Sequence, residues 1–173
     1  MESIKKFLQR KNIVFSAKRY GIDALGAMAQ GLFCSLLIGT IINTVGTQLH
    51  IPFLTQVVAT LGSGDHTISY TVGGLASAMS GPAMAVAIGY ALQAPPLVLF
   101  SLATVGFASN TLGGAGGPLA VLFIAILAAE LGKAVSKETK VDILVTPLVT
   151  IFTGVVLAAW WAPAIGHAAS QVG

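Results

Sequence analysis

Long uncharged stretches alternate with short charged ones along this chain. Asp, Glu, Lys and Arg are absent from residues 24–64, 66–129 and 143–173. A helix needs about 20 mostly apolar residues to cross a bilayer, and these stretches are long enough for several. The run from Ala24 to Val45 predicts a first span of about 33 Å, ending at the polar Gln48, His50 and Pro52. Pro118 to Leu131 and Ile143 to Ala164 predict two more. The middle divides less cleanly. Ile51 to Leu61 is too short to span, Thr67 to Gln93 is interrupted at Gly81 and Pro82, and Leu97 to Ser109 follows Pro95 and Pro96. Such segments predict broken or re-entrant helices, which persist at membrane depth only when buried in protein or lining a polar cavity. The expected fold is all-α, a polytopic transmembrane helical protein with about five spans.

Composition agrees with this pattern. Of 173 residues, 55% are hydrophobic and only 9% charged, against about 25% charged in a soluble domain. The nine Lys and Arg residues fall in two groups, Lys5 to Arg19 and Lys133 to Lys140. By the positive-inside rule both are expected on the cytoplasmic side, which requires an even number of crossings between residues 51 and 117. Trp160 and Trp161 then belong at the opposite interface, where aromatic belts form. Ile4, Phe7, Leu8, Ile13, Val14 and Phe15 among the first basic group make residues 1–19 a basic amphipathic segment at the membrane surface. Residues 20–173 form the transmembrane domain. A cationic group beside a span is explained by the membrane, so no nucleic-acid partner is expected. Cys34 is the single cysteine and the three histidines are scattered, which leaves no metal or cofactor site to build.

Few residues carry candidate chemistry. Gly73, Ser77, Gly81, Ala85 and Gly89 follow four-residue steps and predict one stripe of small side chains, suited to close helix packing or to a sliding surface. Asn110, Gly113, Gly114, Gly116, Gly117 and Pro118 predict a broken segment before a new helix. Its free N–H groups and the Asn110 amide suit sugar hydroxyls or an anion; the alternative is a tight external turn. Ser80 and Gly81, before Pro82, form a smaller analogue. Glu130 is the one acid between His66 and Lys137, either a functional carboxylate or a partner for Lys133 at i+3. Asp142 is placed to cap the last helix. Gly62, Ser63, Gly64 and Asp65 match the G-x-G-D of intramembrane aspartyl proteases, but Asp23, Glu130 and Asp142 all fall near the other face, so the motif reads as a polar turn. No catalytic residue is expected.

Three stretches carry a resemblance: Tyr20 to Phe33 (YGIDALGAMAQGLF), Leu112 to Ala120 (LGGAGGPLA) and Ser136 to Pro147 (SKETKVDILVTP). Together they resemble the enzyme IIC-like membrane proteins of the bacterial sugar phosphotransferase system, in the branch of perfringolysin O regulator-like proteins, over residues 20–163. The resemblance implies a multi-pass protein of the bacterial cytoplasmic membrane, and the positive-inside rule sets its N-terminus on the cytoplasmic side. It implies translocation of a sugar or similar small polar solute while a cytoplasmic IIB-type partner phosphorylates it, or a regulator or sensor without transport. Members usually continue into a second hydrophobic half, so this chain is expected to act as one half, by homo-oligomerisation or by pairing with such a half. The Gly-Ile-Thr-Glu signature of other sugar IIC proteins is missing, so no substrate glutamate transfers onto Glu130.

Overall fold

The computed structural model describes all 173 residues. They form two compact units, residues 1–31 with 81–173, and residues 32–80.

The first unit opens with α1 (Glu2–Arg10), none of whose residues is buried. Lys11, Asn12 and Ile13 stop it by a Schellman turn. The Asn12 N–H donates to Gln9 O at 3.1 Å and the Ile13 N–H to Leu8 O at 2.9 Å, with Asn12 left-handed at φ 55°. A continuous helical run, Arg19–Gln48, follows; its first part, α2 (Ala24–Leu32), belongs to this unit up to Gly31, and its π-helical turn at Phe33–Leu37 and α3 (Ile38–Gln48) belong to the second. α6 (Ser80–Ala91), α7 (Pro96–Gly113), α8 (Gly117–Val135) and α9 (Asp142–Val172) complete the unit. α7, α8 and α9 pack against one another, with Val105, Ala120, Ile124, Ala128 and Ala158 fully buried.

Glycine sets how closely these helices approach. A methyl group added at Gly81 would lie 2.7 Å from Asn110 Cβ and would strike the Gly106 carbonyl oxygen, and one at Gly31 would lie 2.5 Å from Ala83 O. Gly89 meets Leu99 and Leu102, so α6 and α7 run antiparallel. Gly132 against Val98 and Gly117 against Asn110 fold α8 back along α7. Gly154 against Val105 and Gly166 against Gly113 align α9 with α7. Backbones brought this near are a recurrent solution for helices in lipid, where no hydrophobic force drives helix onto helix.

The second unit holds α3, a four-residue helix α4 (Pro52–Thr55), an antiparallel ladder of β1 (Ala59–Leu61) with β2 (Ile68–Tyr70), and α5 (Val72–Ala78). α3 meets α5 at Gly39 and Gly73, where a methyl on Gly39 would lie 2.5 Å from Gly73 O. Thr71 caps α5 by accepting the Gly74 N–H at 3.1 Å and donates its hydroxyl to Asn43 Oδ1 at 2.8 Å.

Three helical runs are long and apolar enough to cross a membrane, Arg19–Gln48, Pro96–Val135 and Asp142–Val172, and the interrupted pair Val72–Ala78 with Ser80–Ala91 makes a fourth. The 40-residue run Pro96–Val135 is a hairpin, with α7 and α8 side by side. Counted as two crossings, it brings the total to the expected five.

Several local expectations change. The fold is helical but includes the short β1–β2 ladder, whose turn carries Gly62 at φ +100° and Gly64 at φ +65° with Asp65 exposed. The interruption expected at Gly81 and Pro82 falls at Met79 instead. Pro82 sits in the first turn of α6, where a missing N–H costs nothing. The small-residue stripe is therefore split. Gly73 and Ser77 face Gly39 of α3, whereas Gly81 and Ala85 face Gly106 of α7. α7 also runs further than expected, through Asn110 to Gly113, leaving Gly114–Gly116 as a single 3-10 turn before Gly117 and Pro118 start α8. Helical hydrogen bonding inside a buried hairpin outweighs the poor intrinsic propensity of these residues.

Candidate functional sites at the two ends of the helix bundle

At one end of the first unit lies the α7–α8 turn. Asn110, in the last turn of α7, packs against both Gly81 and Gly117; a methyl on Gly117 would lie 2.8 Å from Asn110 O. Gly113 touches Ala120, and Gly116 has Ile165, Gly166 and Ala169 of α9 around it. Gly114 stands apart, left-handed at φ +51° with open space where a side chain would project. Asn110, Gly81, Gly113, Gly116 and Gly117 are thus brought together, and Gly114 is the exposed tip. Ser80 is buried at the end of the other unit. Glu130 is not at this end, because 13 residues of α8 separate it from Gly117, about 20 Å along the axis.

The opposite end carries the charge. Lys133, in the last turn of α8, is 1% exposed and donates to Asn12 O at 2.7 Å, Leu92 O at 2.8 Å and Glu130 Oε1 at 3.0 Å. Burying an ammonium without partners is prohibitive; here all three of its protons are used. The two carbonyls belong to the C-terminal turns of α1 and α6. The latter ends in a second Schellman turn, with Gln93 left-handed at φ 57°, its N–H on Tyr90 O at 3.0 Å and the Ala94 N–H on Gly89 O at 2.9 Å. Two helix C-termini, each with partial negative charge, therefore converge on Lys133. Arg19 serves the same ends, donating to Leu92 O at 2.8 Å and Asn12 Oδ1 at 3.2 Å, and the Asn12 amide donates to Gln93 Oε1.

Around this buried centre lies a shell nearer solvent. Glu138 Oε1 meets Arg10 at 2.9 Å and Lys11 at 2.6 Å, and Lys11 also donates to Ser136 O. The hydrogen bond from Lys11, then the charges of Arg10 and Lys11, hold the Glu138 carboxyl below its ordinary value despite some opposing desolvation. Asp142 opens α9 but does not cap it; its carboxylate accepts the Lys137 N–H at 2.7 Å and the Thr146 hydroxyl.

Glu130 also borders an apolar cleft of about 930 Å³, lined by Leu25, Leu122, Phe123, Ile126, Trp161 and Ile165 among others. Its second oxygen and the Tyr20 hydroxyl are both buried on this cleft and lack hydrogen-bond geometry to any group.

The i+3 pairing of Glu130 with Lys133 was legible from spacing. The convergence of Asn12, Arg19, Leu92, Gln93, Ser136 and Glu138 on that pair was not, because backbone carbonyls leave no mark in a sequence.

Helices meeting at glycine, apolar outer faces and charge gathered at one end of the first unit define a polytopic helical membrane protein. The chain belongs to the family "Phosphotransferase system, EIIC", which it matches over residues 22–173. It is accordingly a multi-pass protein of the cytoplasmic membrane with a permease-type role in the sugar phosphotransferase system. The match establishes the family, not the perfringolysin O regulator-like branch within it. No curated protein and no solved structure matches the chain.

Proposed function

We propose that this chain is a permease subunit that translocates a sugar or similar small polar solute, with the α7–α8 turn forming part of the solute path. One observation carries the reading: Asn110 places an amide at a helix break, packed against Gly81 and Gly117 where backbones come close. Lying at the outer end of two full crossings, the turn would receive the solute at the mouth of the path, where helix-terminal polar groups suit sugar hydroxyls or an anion. The charged end is the cytoplasmic one in this proposal. Its support is that the two basic segments, far apart in sequence, meet through Arg10 and Lys11 on Glu138, as the positive-inside rule requires of cytoplasmic loops. A IIB-type partner would dock on that face.

Asn110→Leu and Gly114→Leu test the solute path. Uptake of labelled sugars by cells or vesicles is expected to fall to background while membrane insertion stays normal. Full uptake by a correctly inserted variant removes the turn from the path. A regulatory role is favoured by a different observation: α1 is amphipathic yet buries none of its residues, with Ile4 62% exposed. Deleting residues 1–11 separates the two readings, because transport survives the loss of an arm that serves only signalling.

A further inference from the structure

The charged end contains a second cleft, of about 440 Å³, lined by Arg10, Lys11, Lys133, Lys137, Ser136 and Glu138, with Asn12 and Gln93 on its wall. That volume lies within the usual range for small-molecule sites. Four cations face one carboxylate across it. Lys133 contributes charge alone, since its three donors are taken. Lys137 is exposed and its ammonium makes no hydrogen bond or ion pair, its charge being felt only at Asp142. Ser136 is 3% exposed, and its carbonyl is engaged by Lys11 while its hydroxyl has no hydrogen bond. Three of the four non-glycine residues with positive φ, Asn12, Gln93 and Lys137, border this one cleft.

From this arrangement we infer that the cleft is a binding site for a phosphoryl group, which Glu138 occupies in its absence. One oxygen of Glu138 takes both Arg10 and Lys11. A phosphomonoester offers three strong acceptor oxygens and nearly twice the charge, so it satisfies the same two cations and adds Lys137 and the Ser136 hydroxyl. Binding then displaces Glu138 from Arg10 and Lys11, while Lys11 keeps its hold on the Ser136 carbonyl. The group comes either from a soluble phosphate ester or from a phosphatidic acid headgroup at the membrane surface; the chemistry is the same. The inference rests on the cleft and not on the transport reading, and uptake is measured apart from binding, so either can fail alone.

The test uses the full chain in phosphatidylcholine nanodiscs, titrated calorimetrically with inorganic phosphate and with a hexose 6-phosphate at constant ionic strength. Saturable binding is expected. Glu138→Gln, which removes the internal competitor, tightens it about fivefold, and Arg10→Gln with Lys11→Gln weakens it at least about tenfold. Repeating the titration in discs containing phosphatidic acid distinguishes the sources. Loss of the response there assigns the site to the lipid headgroup, and an unchanged response assigns it to the soluble ester. No saturable response in phosphatidylcholine discs, or equal affinity in wild type and Glu138→Gln, overturns the inference. The Glu138→Gln arm stands alone if the double variant fails to fold.

Discussion

A buried lysine is the residue on which this molecule's charged end depends. Lys133 holds two helix C-termini and Glu130 together, so its removal strands a buried carboxylate and the Asn12 carbonyl, while Arg19 still donates to Leu92 O. Breaking a buried ion pair from one side costs about 3–5 kcal/mol. Lys133→Ala is therefore expected to lower the thermal transition in detergent sharply, and Glu130→Gln, which keeps an acceptor for the ammonium, is expected to lower it less. Equal transitions in the two variants would mean that the ion pair with Glu130, and not the carbonyls, stabilises the site. Glu138 makes the opposite kind of contact, exposed and titratable. Its folded pKa is depressed, so the contact with Arg10 and Lys11 is complete above the ordinary carboxylate value and is lost as pH falls through the lower folded one. Protease cleavage near Asn12 is expected to accelerate on acidification, and in Glu138→Gln to be fast already at neutral pH.

Elements here are positioned by small residues. Gly81 and Gly106 face each other across α6 and α7, and a methyl on either would enter the other's backbone. Gly106→Leu is expected to cost more than the 1–3 kcal/mol usual for overpacking, because backbone cannot yield as a side chain can. Gly114→Ala meets open space and pays only for its left-handed φ, so its transition should shift far less. Comparing the two melting curves checks the ordering. The same contrast explains what was legible. Apolar runs announced α7, α8 and α9, but the glycine-rich segment read as a loop became the end of one helix and the start of the next. Whether Gly113 extends a helix depends on what packs beside it, here Ala120.

For the whole molecule, the distribution of charge decides orientation. α9 continues to Val172, but Trp160 and Trp161 lie about 28 Å from Asp142, close to the thickness of a hydrocarbon core and so at the level where the proposed orientation would set the far interface. Single cysteines at Lys5 and Lys137 are expected to resist a membrane-impermeant thiol reagent in intact cells, in a Cys34→Ser background, and to react in inverted vesicles. A cysteine at Gly114 should show the reverse. Labelling of Lys5 and Lys137 from opposite sides would undo the proposed orientation and the parity of crossings behind it.

Sequence by itself determined the solvent this protein lives in, the main spans and the grouping of its cations, because burial in lipid is a property of composition over about 20 residues. Its resemblance to enzyme IIC proteins reached the family. Only tertiary structure decided where helices break and which residues meet. The interruption moved to Met79, the small-residue stripe acquired two different partners, and Lys133 became the centre of a buried site. Those outcomes depend on carbonyl oxygens and on distances between backbones remote in sequence, and neither is encoded in the type of any single residue.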